Sequence, residues 1–196
     1  MSKRGRLALI DGDSMAYFSS KDTLEESLSR IDSFISLVLK ITKCDHYLIF
    51  LSSRVDEYYR RKFFSGYKIK RPTTQTQLLF LRTVKSVLFE KYKAISVIGI
   101  EADDLCAIAA NQYKNDYTVV VCSPDKDVLG TIPGKHYNYK SHQWITTTEY
   151  DSIKFMWLQV LHGDATDGII GLPGIGKVKA EKILLTGILE EDPLDI

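Results

Sequence analysis

The chain carries an unusual concentration of carboxylates at four separate points. Glu101, Asp103 and Asp104 stand within four residues, directly after the apolar run 95–100. The other candidate metal ligands are Asp11, Asp125, Asp127, Asp164 and Asp167. Like charges a few ångströms apart oppose each other's ionisation unless a cation lies between them. We therefore interpret these acids as one metal-binding cluster.

Helix capping is the alternative explanation for the same acids. A helix N-terminus favours an acidic side chain, because its free N–H groups and its dipole attract negative charge. Capping accounts for one acid per helix, which is about half of these residues. It does not account for doublets that follow one apolar run after another, so the metal interpretation is favoured.

The ligand chemistry of the cluster predicts the metal. Carboxylate oxygens without a neighbouring histidine or cysteine favour Mg²⁺ or Mn²⁺ over zinc. Two such ions, about 3.5–4 Å apart, are the usual arrangement for attack on a phosphodiester. One ion generates hydroxide from a bound water, and both stabilise the charge on the phosphate. The histidines at positions 46, 136, 142 and 162 are scattered singly, and we expect them to be packed or surface residues.

The net charge of +1 hides an uneven distribution of charged residues. Residues 1–100 contain 18 lysines and arginines against 10 aspartates and glutamates, whereas residues 101–196 contain 8 against 15. The basic excess lies in segment 54–93, with 11 against 3. A basic region beside an acidic cluster suits a protein that holds a polyanion in one place and hydrolyses it in the other. A solvated helix face would give the same composition.

Hydrophobic periodicity predicts the elements that position these residues. Strands are predicted at 7–10, 47–51, 95–98 and 117–122, with a hairpin of 135–139 and 143–146. Helices are predicted at 23–43, 75–91, 103–113, 148–161 and 177–185, and segment 54–64 is also expected to be helical. This alternation predicts an α/β fold with a mostly parallel central sheet flanked by helices. Sites in such sheets form outside the carboxyl ends of the strands, so Asp11, Glu101 and Asp125 are expected to converge there.

A glycine-rich segment near the end of the chain has the spacing of a nucleotide-binding P-loop, from Gly171 to Lys177. In a P-loop the next residue is Ser or Thr, but here it is Val178. A P-loop also follows a strand, whereas this segment follows a predicted helix. We favour a different interpretation, in which Gly174 and Gly176 let a turn present bare N–H groups to a nucleic-acid phosphate. An interhelical turn that needs glycine fits the same residues.

The bulk properties describe a single globular chain of 196 residues, suited to one domain with a small appendage. No apolar stretch approaches a membrane span, and the basic N-terminus runs directly into a predicted strand, unlike a signal peptide. Three cysteines in apolar settings indicate reduced core residues. We expect a monomeric cytoplasmic protein without membrane contacts, located in the host cytoplasm if a bacteriophage encodes it.

Several blocks of the sequence, taken in order, resemble the flap endonuclease superfamily of 5′-nucleases. The blocks are Asp11-Gly12-Asp13, Tyr67-Lys68-Ile69-Lys70-Arg71, Glu101-Ala102-Asp103-Asp104, Ser123-Pro124-Asp125-Lys126-Asp127, and 163–168 followed by 171–177. This superfamily includes bacteriophage 5′-exonucleases of the ribonuclease H type, the 5′-nuclease domain of DNA polymerase I and eukaryotic flap endonucleases. The resemblance implies a PIN-like nuclease core over residues 1–147, with the basic segment 54–93. It also implies a C-terminal helical region over 148–196, with a DNA-binding element of the helix–hairpin (H3TH) type.

The resemblance implies a metal-dependent, structure-specific 5′-nuclease that cleaves DNA at 5′ ends, flaps and junctions. RNA–DNA hybrids remain open as a second substrate. By this resemblance the first ion is bound by Asp11, Glu101 and Asp103. The second ion is bound by Asp103, Asp125, Asp127 and Asp164, while Asp104 and Asp167 act through bound water.

The same resemblance implies the nucleic-acid contacts. Lys68 and Arg71 correspond to the basic pair that contacts the scissile phosphate, and Tyr67 is expected to stack on a base. The other expected contacts are Lys70, Gly171, Gly174, Gly176 and Lys177, of which the glycine-rich group grips the duplex backbone, with K⁺ as a further candidate ion.

One departure from the family pattern concerns the end of the second predicted strand. The family places an aspartate there, whereas this chain has Leu51-Ser52-Ser53. Serine is a poorer ligand, so we expect weaker binding of the first ion unless Asp56 turns inward to compensate. Two alternatives follow: a branched-DNA-binding module with weak or lost cleavage, and a PIN-type ribonuclease. The number of acids argues against both, and the glycine-rich element argues against the second.

Overall fold

The computed structural model describes residues 4–20, 23–68 and 75–187. The helices are α1 (Gly12–Ser19), α2 (Leu24–Thr42), α3 (Gln75–Glu90), α4 (Ala102–Tyr113), α5 (Lys126–Thr131), α6 (Glu149–His162) and α7 (Lys177–Gly187). The strands are β1 (Arg6–Asp11), β2 (His46–Phe50), β3 (Thr118–Cys122), β4 (Gly134–Asn138), β5 (Gln143–Thr147), β6 (Gly163–Asp164) and β7 (Ile169–Ile170).

The central sheet has the strand order β2-β1-β3-β4-β5. β1 pairs in parallel with both β2 and β3, and β3 pairs in parallel with β4. Only the hairpin strand β5 is antiparallel within this sheet of described residues. The predicted mostly parallel α/β sheet is therefore confirmed.

The side chains of β1 explain why helices cover both faces of the sheet. Ala8 and Ile10 point into a cluster with buried residues of α1, α2 and α3, whereas Leu7 and Leu9 point into a second cluster with α4 and α5. Successive side chains of a strand alternate between faces, so a continuous apolar strand needs an apolar layer on each side. The result is three layers, with the sheet in the middle.

Two predicted elements differ from the structure, and several observed elements were not predicted. Segment 95–98 forms only an isolated parallel bridge, between Ile95 and Phe50, because the chain then turns away from the sheet edge. The amide of Ile100 donates to the carbonyl of Val97, and Gly99 has a φ of +84°. Segment 54–64 contains two short 3-10 turns in place of the expected helix, Val55–Glu57 and Tyr59–Lys62. α1, α5 and the β6–β7 pair were not predicted, and α1 begins directly after Asp11.

The C-terminal region begins with the predicted capping pattern. Thr148 and Asp151 form a reciprocal capping box at the start of α6. α6 and α7 pack against each other, and between them lie the two-stranded β6–β7 pair and the glycine-rich segment. Among the described residues, no helix is long and apolar enough to cross a membrane.

Candidate metal and nucleic-acid site

The carboxyl ends of neighbouring parallel strands place the acids at one edge of the sheet. β1 and β2 end side by side, with Asp11 opposite Phe50. β3 ends at Cys122 beside β1, and Asp125 follows shortly after. Glu101 follows the segment that is bridged to Phe50. The strand order thus brings the three acids to the edge where they were expected.

Asp11 joins the ends of β1 and β3. Its side chain is buried and caps α1, accepting from the amides of Asp13 and Ser14 at 3.1 Å each. Its other oxygen accepts from the hydroxyl of Ser123 at 2.8 Å, and that hydroxyl accepts from the amide of Asp125 at 3.0 Å. Burial raises the pKa of Asp11, although the hydrogen bonds from Ser14 and Ser123 oppose this.

Glu101 stands at the N-cap of α4, yet its side chain makes no capping hydrogen bond. The hydroxyl of Ser52 accepts from the first helical amide, that of Ala102, at 2.9 Å. The Glu101 carboxylate, almost fully buried, instead accepts from Arg60 at 2.7 Å, from the Tyr67 hydroxyl at 2.8 Å and from Lys68. This buried carboxylate is therefore held by three donors from the basic segment.

The first turn of α4 contains the tightest group of candidate metal ligands. One carboxylate oxygen each from Glu101, Asp103 and Asp104 lies within 4.8 Å of the others. Arg60 holds Asp104 through both of its oxygens, at 2.6 and 2.7 Å. Burial raises the pKa of Asp103 to about 6, and repulsion from Glu101 and Asp104 adds to this effect. A divalent cation fits here because the donors are hard oxygens and their repulsion needs positive charge.

A second group of acids surrounds Lys126. Its ammonium lies 3.8 Å from Asp127 and 3.5 Å from Asp164. Gln159 of α6 donates to Asp127 at 2.7 Å. Burial raises the pKa of Asp127, and Asp125 adds to the shift. Burial also disfavours ionisation of Asp164, but the amide of Thr166 and the charge of Lys126 outweigh it and lower its pKa.

Tyr67 and Lys68 connect the two groups of acids. Besides Glu101, the Tyr67 hydroxyl contacts Asp167 at 3.3 Å, and the Lys68 ammonium lies 3.8 Å from the same carboxylate. The amide of Asp167 in turn donates to Asp164 at 3.4 Å. These contacts link Glu101 to Asp167 and Asp164. Among the described residues, Glu101, Asp103 and Asp104 are the only three acids whose carboxylate oxygens all lie within 4.8 Å of one another.

The structure places Tyr67 differently from the expectation. Its side chain is only 5% exposed, so its ring is not open to stack on a base. Burial and the Glu101 carboxylate raise the pKa of Tyr67 far above its usual value, which keeps the hydroxyl protonated as a donor. The expected base stacking by Tyr67 is therefore wrong. Its hydroxyl instead bridges Glu101 and Asp167 inside the acidic site.

The remaining predicted residues divide into three groups. Lys70 and Arg71 lie outside the described residues. Lys177 is exposed at the start of α7, and the space above Gly174 and Gly176 is open. Gly171 is different, because an added Cβ would lie 2.2 Å from the carbonyl carbon of His162. Gly171 therefore serves close packing, while the tip of the loop is accessible to a ligand.

Sequence reasoning missed several contributors to the site. Arg60 contacts two of the predicted acids but lies outside the sequence blocks that resemble the 5′-nuclease superfamily. Lys85 of α3 lies 2.6 Å from Asp13, which also accepts from the amide of Ser52 at 3.3 Å. Asp56 pairs with its neighbour Arg54 and stays exposed, so it does not replace the absent strand-end aspartate. The signal that could have found Arg60 was its position eight residues before Lys68 within the basic segment.

A family model decides the classification. The model described as 5′-3′ exonuclease, N-terminal resolvase-like domain, matches residues 6–156. The chain belongs to the 5′-3′ exonuclease family. The resemblance to the flap endonuclease and 5′-nuclease superfamily is thereby confirmed.

Curated relatives of this family member include whole nucleases and parts of polymerases. The chain is 34% identical over 143 residues to the 5′-3′ exonuclease of Buchnera aphidicola, covering 66% of this chain and 48% of that protein. It is 27% identical over 201 residues to the thermostable DNA polymerase I of Thermus aquaticus, covering 92% of this chain. It spans only 24% of the length of that polymerase.

Solved structures support the fold of this family member. The bacteriophage T5 flap endonuclease, in complex with DNA and metal ions, aligns with a TM-score of 0.77 at 18% identity, covering 92% of this chain and 74% of that chain. Human GEN1 in complex with Holliday junction DNA aligns with a TM-score of 0.54 at 17% identity, covering 97% of this chain and 51% of that chain. At these identities the likeness shows a common α/β architecture.

Proposed function

We propose that this family member is a metal-dependent, structure-specific 5′-nuclease that hydrolyses phosphodiester bonds at 5′ ends, flaps and junctions of DNA. The observation that carries the proposal is the meeting of two acidic groups around Tyr67 and Lys68. Negative charge gathered beside a basic segment is costly unless cations and a phosphate are to be held there. The family relationship and the DNA complexes of the T5 and GEN1 structures support the same assignment.

The proposed metal ligands form two sets. Asp11, Glu101 and Asp103 are assigned to one Mg²⁺ or Mn²⁺ ion. Asp103 also belongs to the second set, with Asp125, Asp127 and Asp164, while Asp104 and Asp167 act through bound water. When bound, the ions supply a hydroxide at neutral pH and charge stabilisation for the phosphate. The hard-oxygen donor set and the raised pKa of Asp103 fit such ions.

Lys68 is assigned to the scissile phosphate, with Arg71 as its partner. Its backbone φ of +52° is uncommon for a residue other than glycine and costs about 1 kcal/mol. The ammonium is directed between Glu101 and Asp167. A compact point charge held between two acids can shift to an incoming phosphate without the geometric demands of an arginine fork.

Duplex binding is assigned to the C-terminal region as a helix–hairpin-type element. Gly174 has a φ of +73°. The space beside both Gly174 and Gly176 is open. Backbone amides at this tip and Lys177, at the start of α7, can bind phosphates without reading bases. A K⁺ ion at the tip belongs to the same proposal, and the proposed solution state is a monomer.

The deciding experiment uses a 5′-labelled flap duplex with Mg²⁺ or Mn²⁺, beside the variant Asp125→Asn. The proposal expects metal-dependent cleavage near the junction by the wild type and a loss of at least about 100-fold in the variant. Binding without cleavage would support the branched-DNA-binding alternative, which the missing strand-end aspartate favours. Cleavage of single-stranded RNA alone would support a PIN-type ribonuclease, and an RNA–DNA hybrid arm tests the second substrate class.

A further inference from the structure

Arg60 reaches the metal cluster from outside every acidic motif. It lies in the 3-10 turn Tyr59–Lys62, and its carbonyl accepts from the amides of Phe63 and Phe64 at 3.2 and 2.9 Å. Its side chain spans more than forty positions of sequence to α4. One guanidinium nitrogen donates to both Glu101, at 2.7 Å, and Asp104, at 2.6 Å. The other nitrogen donates to the second oxygen of Asp104 at 2.7 Å.

The surroundings of Arg60 hold its guanidinium in place. Its charge lies over the rings of Tyr59 and Tyr67, at 5.0 and 5.8 Å from the ring centres. The side chain is 31% exposed, whereas the Glu101 side chain that it contacts is 3% exposed. A stacked, partly buried guanidinium loses little further freedom when it forms hydrogen bonds, so the contacts are geometrically specific.

The three carboxylates at the start of α4 differ in the hydrogen bonds that they accept. Glu101 accepts from Arg60, Tyr67 and Lys68, and Asp104 accepts from Arg60 through both oxygens. Asp103 accepts a hydrogen bond from the amide of Asp104 through one oxygen. Within the part of the chain that the structure describes, no ion pair joins Asp103 to a cation. Arg60 thus fixes the orientation of two of the carboxylates, whereas the hydrogen bond that the described residues give to Asp103 comes from a backbone amide.

We propose that Arg60 is a positioning residue for the metal site. It fixes the orientations of Glu101 and Asp104, so that Glu101 and Asp103 can contact one ion directly while Asp104 reaches that ion through bound water. The role takes from the proposed function only the premise that this cluster binds a divalent metal. Outer partners of metal ligands typically contribute about 10- to 100-fold to metal affinity or activity.

The variant Arg60→Lys isolates geometry from charge. Lysine keeps the positive charge, but its point-like ammonium lacks the planar fork that fixes both oxygens of Asp104 and the Glu101 carboxylate in one geometry. The matched control is Arg30→Lys, on the exposed surface of α2 and outside the basic segment. Mn²⁺ binding is measured by electron paramagnetic resonance on the full chain without DNA, and thermal unfolding is recorded for each variant.

The expected result is a weakening of Mn²⁺ binding by about tenfold or more in Arg60→Lys, with no change in Arg30→Lys. In cleavage assays, Arg60→Lys is expected to lower kcat at limiting Mn²⁺ and to regain it at high Mn²⁺, with KM for DNA unchanged. Wild-type Mn²⁺ affinity in Arg60→Lys overturns the proposal. A rise in KM for DNA at constant metal affinity also overturns it, since Arg60 would then be a phosphate contact.

Chemical rescue covers the case in which Arg60→Lys fails to fold. Millimolar guanidinium is expected to restore Mn²⁺ affinity to Arg60→Ala, whereas methylammonium at the same concentration is not, because only guanidinium supplies a fork. Equal rescue by both ions, or by neither, contradicts a positioning role. If the wild type binds Mn²⁺ but does not cleave DNA, the proposed nuclease function is wrong. The effect of Arg60 on Mn²⁺ affinity can still be tested in that case.

Discussion

The hydroxyl of Ser52 accepts a hydrogen bond from the amide of Ala102 at 2.9 Å, at the sheet edge where an aspartate is expected in this family. Ser52 thereby ties the end of β2 to the start of α4. It satisfies the helical amide that the side chain of Glu101 leaves unbonded, so the Glu101 carboxylate is free to turn into the acidic site. Ser52, which lies where the resemblance implies a metal ligand, therefore has a structural role of its own.

Restoring a carboxylate at this point is expected to strengthen metal binding. Aspartate can still accept from the amide of Ala102, as aspartate does at helix N-termini, while it adds a second oxygen and a negative charge beside Glu101. Ser52→Asp is therefore expected to bind Mn²⁺ more tightly and to cleave at lower metal concentrations. The measurement is a metal titration of binding and cleavage.

Ser53→Asp is the matched control for this substitution. The hydroxyl of Ser53 accepts from the amide of Gly99 at 3.0 Å, in the turn beyond the sheet edge. A smaller effect on metal affinity is expected there. If neither variant changes metal affinity or activity, the expectation that the missing aspartate weakens the first site is wrong.

Removing the Ser52 hydroxyl is expected to destabilise the chain without touching a metal ligand. Ser52→Ala leaves the amide of Ala102 without its acceptor, which costs about 1 kcal/mol. The free energy of unfolding in urea is expected to fall by this amount in the metal-free protein. An unchanged unfolding midpoint would show that water replaces the hydroxyl at no cost.

Lys68 is expected to contribute to the reaction more than to DNA binding. Lys68→Met removes the ammonium between Glu101 and Asp167, and the predicted loss is about 100- to 1,000-fold in kcat, the size found for single donors to developing charge. KM for DNA is expected to change little, and Lys40→Met on the exposed surface of α2 serves as the control. A loss confined to KM would assign Lys68 to binding alone.

The raised pKa of Asp103 predicts a pH dependence of stability in the metal-free protein. Its folded pKa of about 6 lies above its ordinary value of 3.8, so between these values the folded chain binds the extra proton. Stability is therefore expected to decrease as pH rises from about 4 to about 6. Urea unfolding at several pH values should show this slope, and Asp103→Asn should lack the part due to this group.

Substitution by alanine is expected to affect thermal stability differently at two glycines of the C-terminal segment. Gly171→Ala places a methyl group against the backbone of His162, so a marked loss of thermal stability is expected. Gly176→Ala adds a methyl group in open space, so the fold is expected to be unaffected. If the tip binds duplex phosphates through bare amides, Gly176→Ala weakens duplex affinity in a gel-shift assay. Unaltered duplex affinity would remove the tip from the proposed binding surface.

The sequence identified the acids because local patterns define them. Each acid follows an apolar run, and parallel strands place such positions at one edge, so the convergence of Asp11, Glu101 and Asp125 could be predicted. Segment 95–98 was wrongly predicted as a strand because an apolar run does not reveal that Val97 and Ile98 turn outward, where Ile98 is 83% exposed. α1 was missed because its eight residues are too few to show a clear helical period.

The contacts of the basic segment could not be predicted in the same way. Arg60 and Tyr67 meet Glu101 across 41 and 34 positions of sequence, and no periodicity encodes such pairs. A tyrosine beside lysines suggests base stacking from composition alone. Its burial depends on tertiary packing against Tyr58 and the acidic site, which only the structure provides.

Anomalous scattering from crystals soaked in Mn²⁺ is the most direct measurement of the central proposal. We predict two Mn²⁺ peaks, one contacting Glu101 and Asp103 and the other contacting Asp125 and Asp164, with Asp103 close to both. A molecule that binds no Mn²⁺ in this region, or binds it only at acids elsewhere on the surface, would contradict the proposed nuclease site.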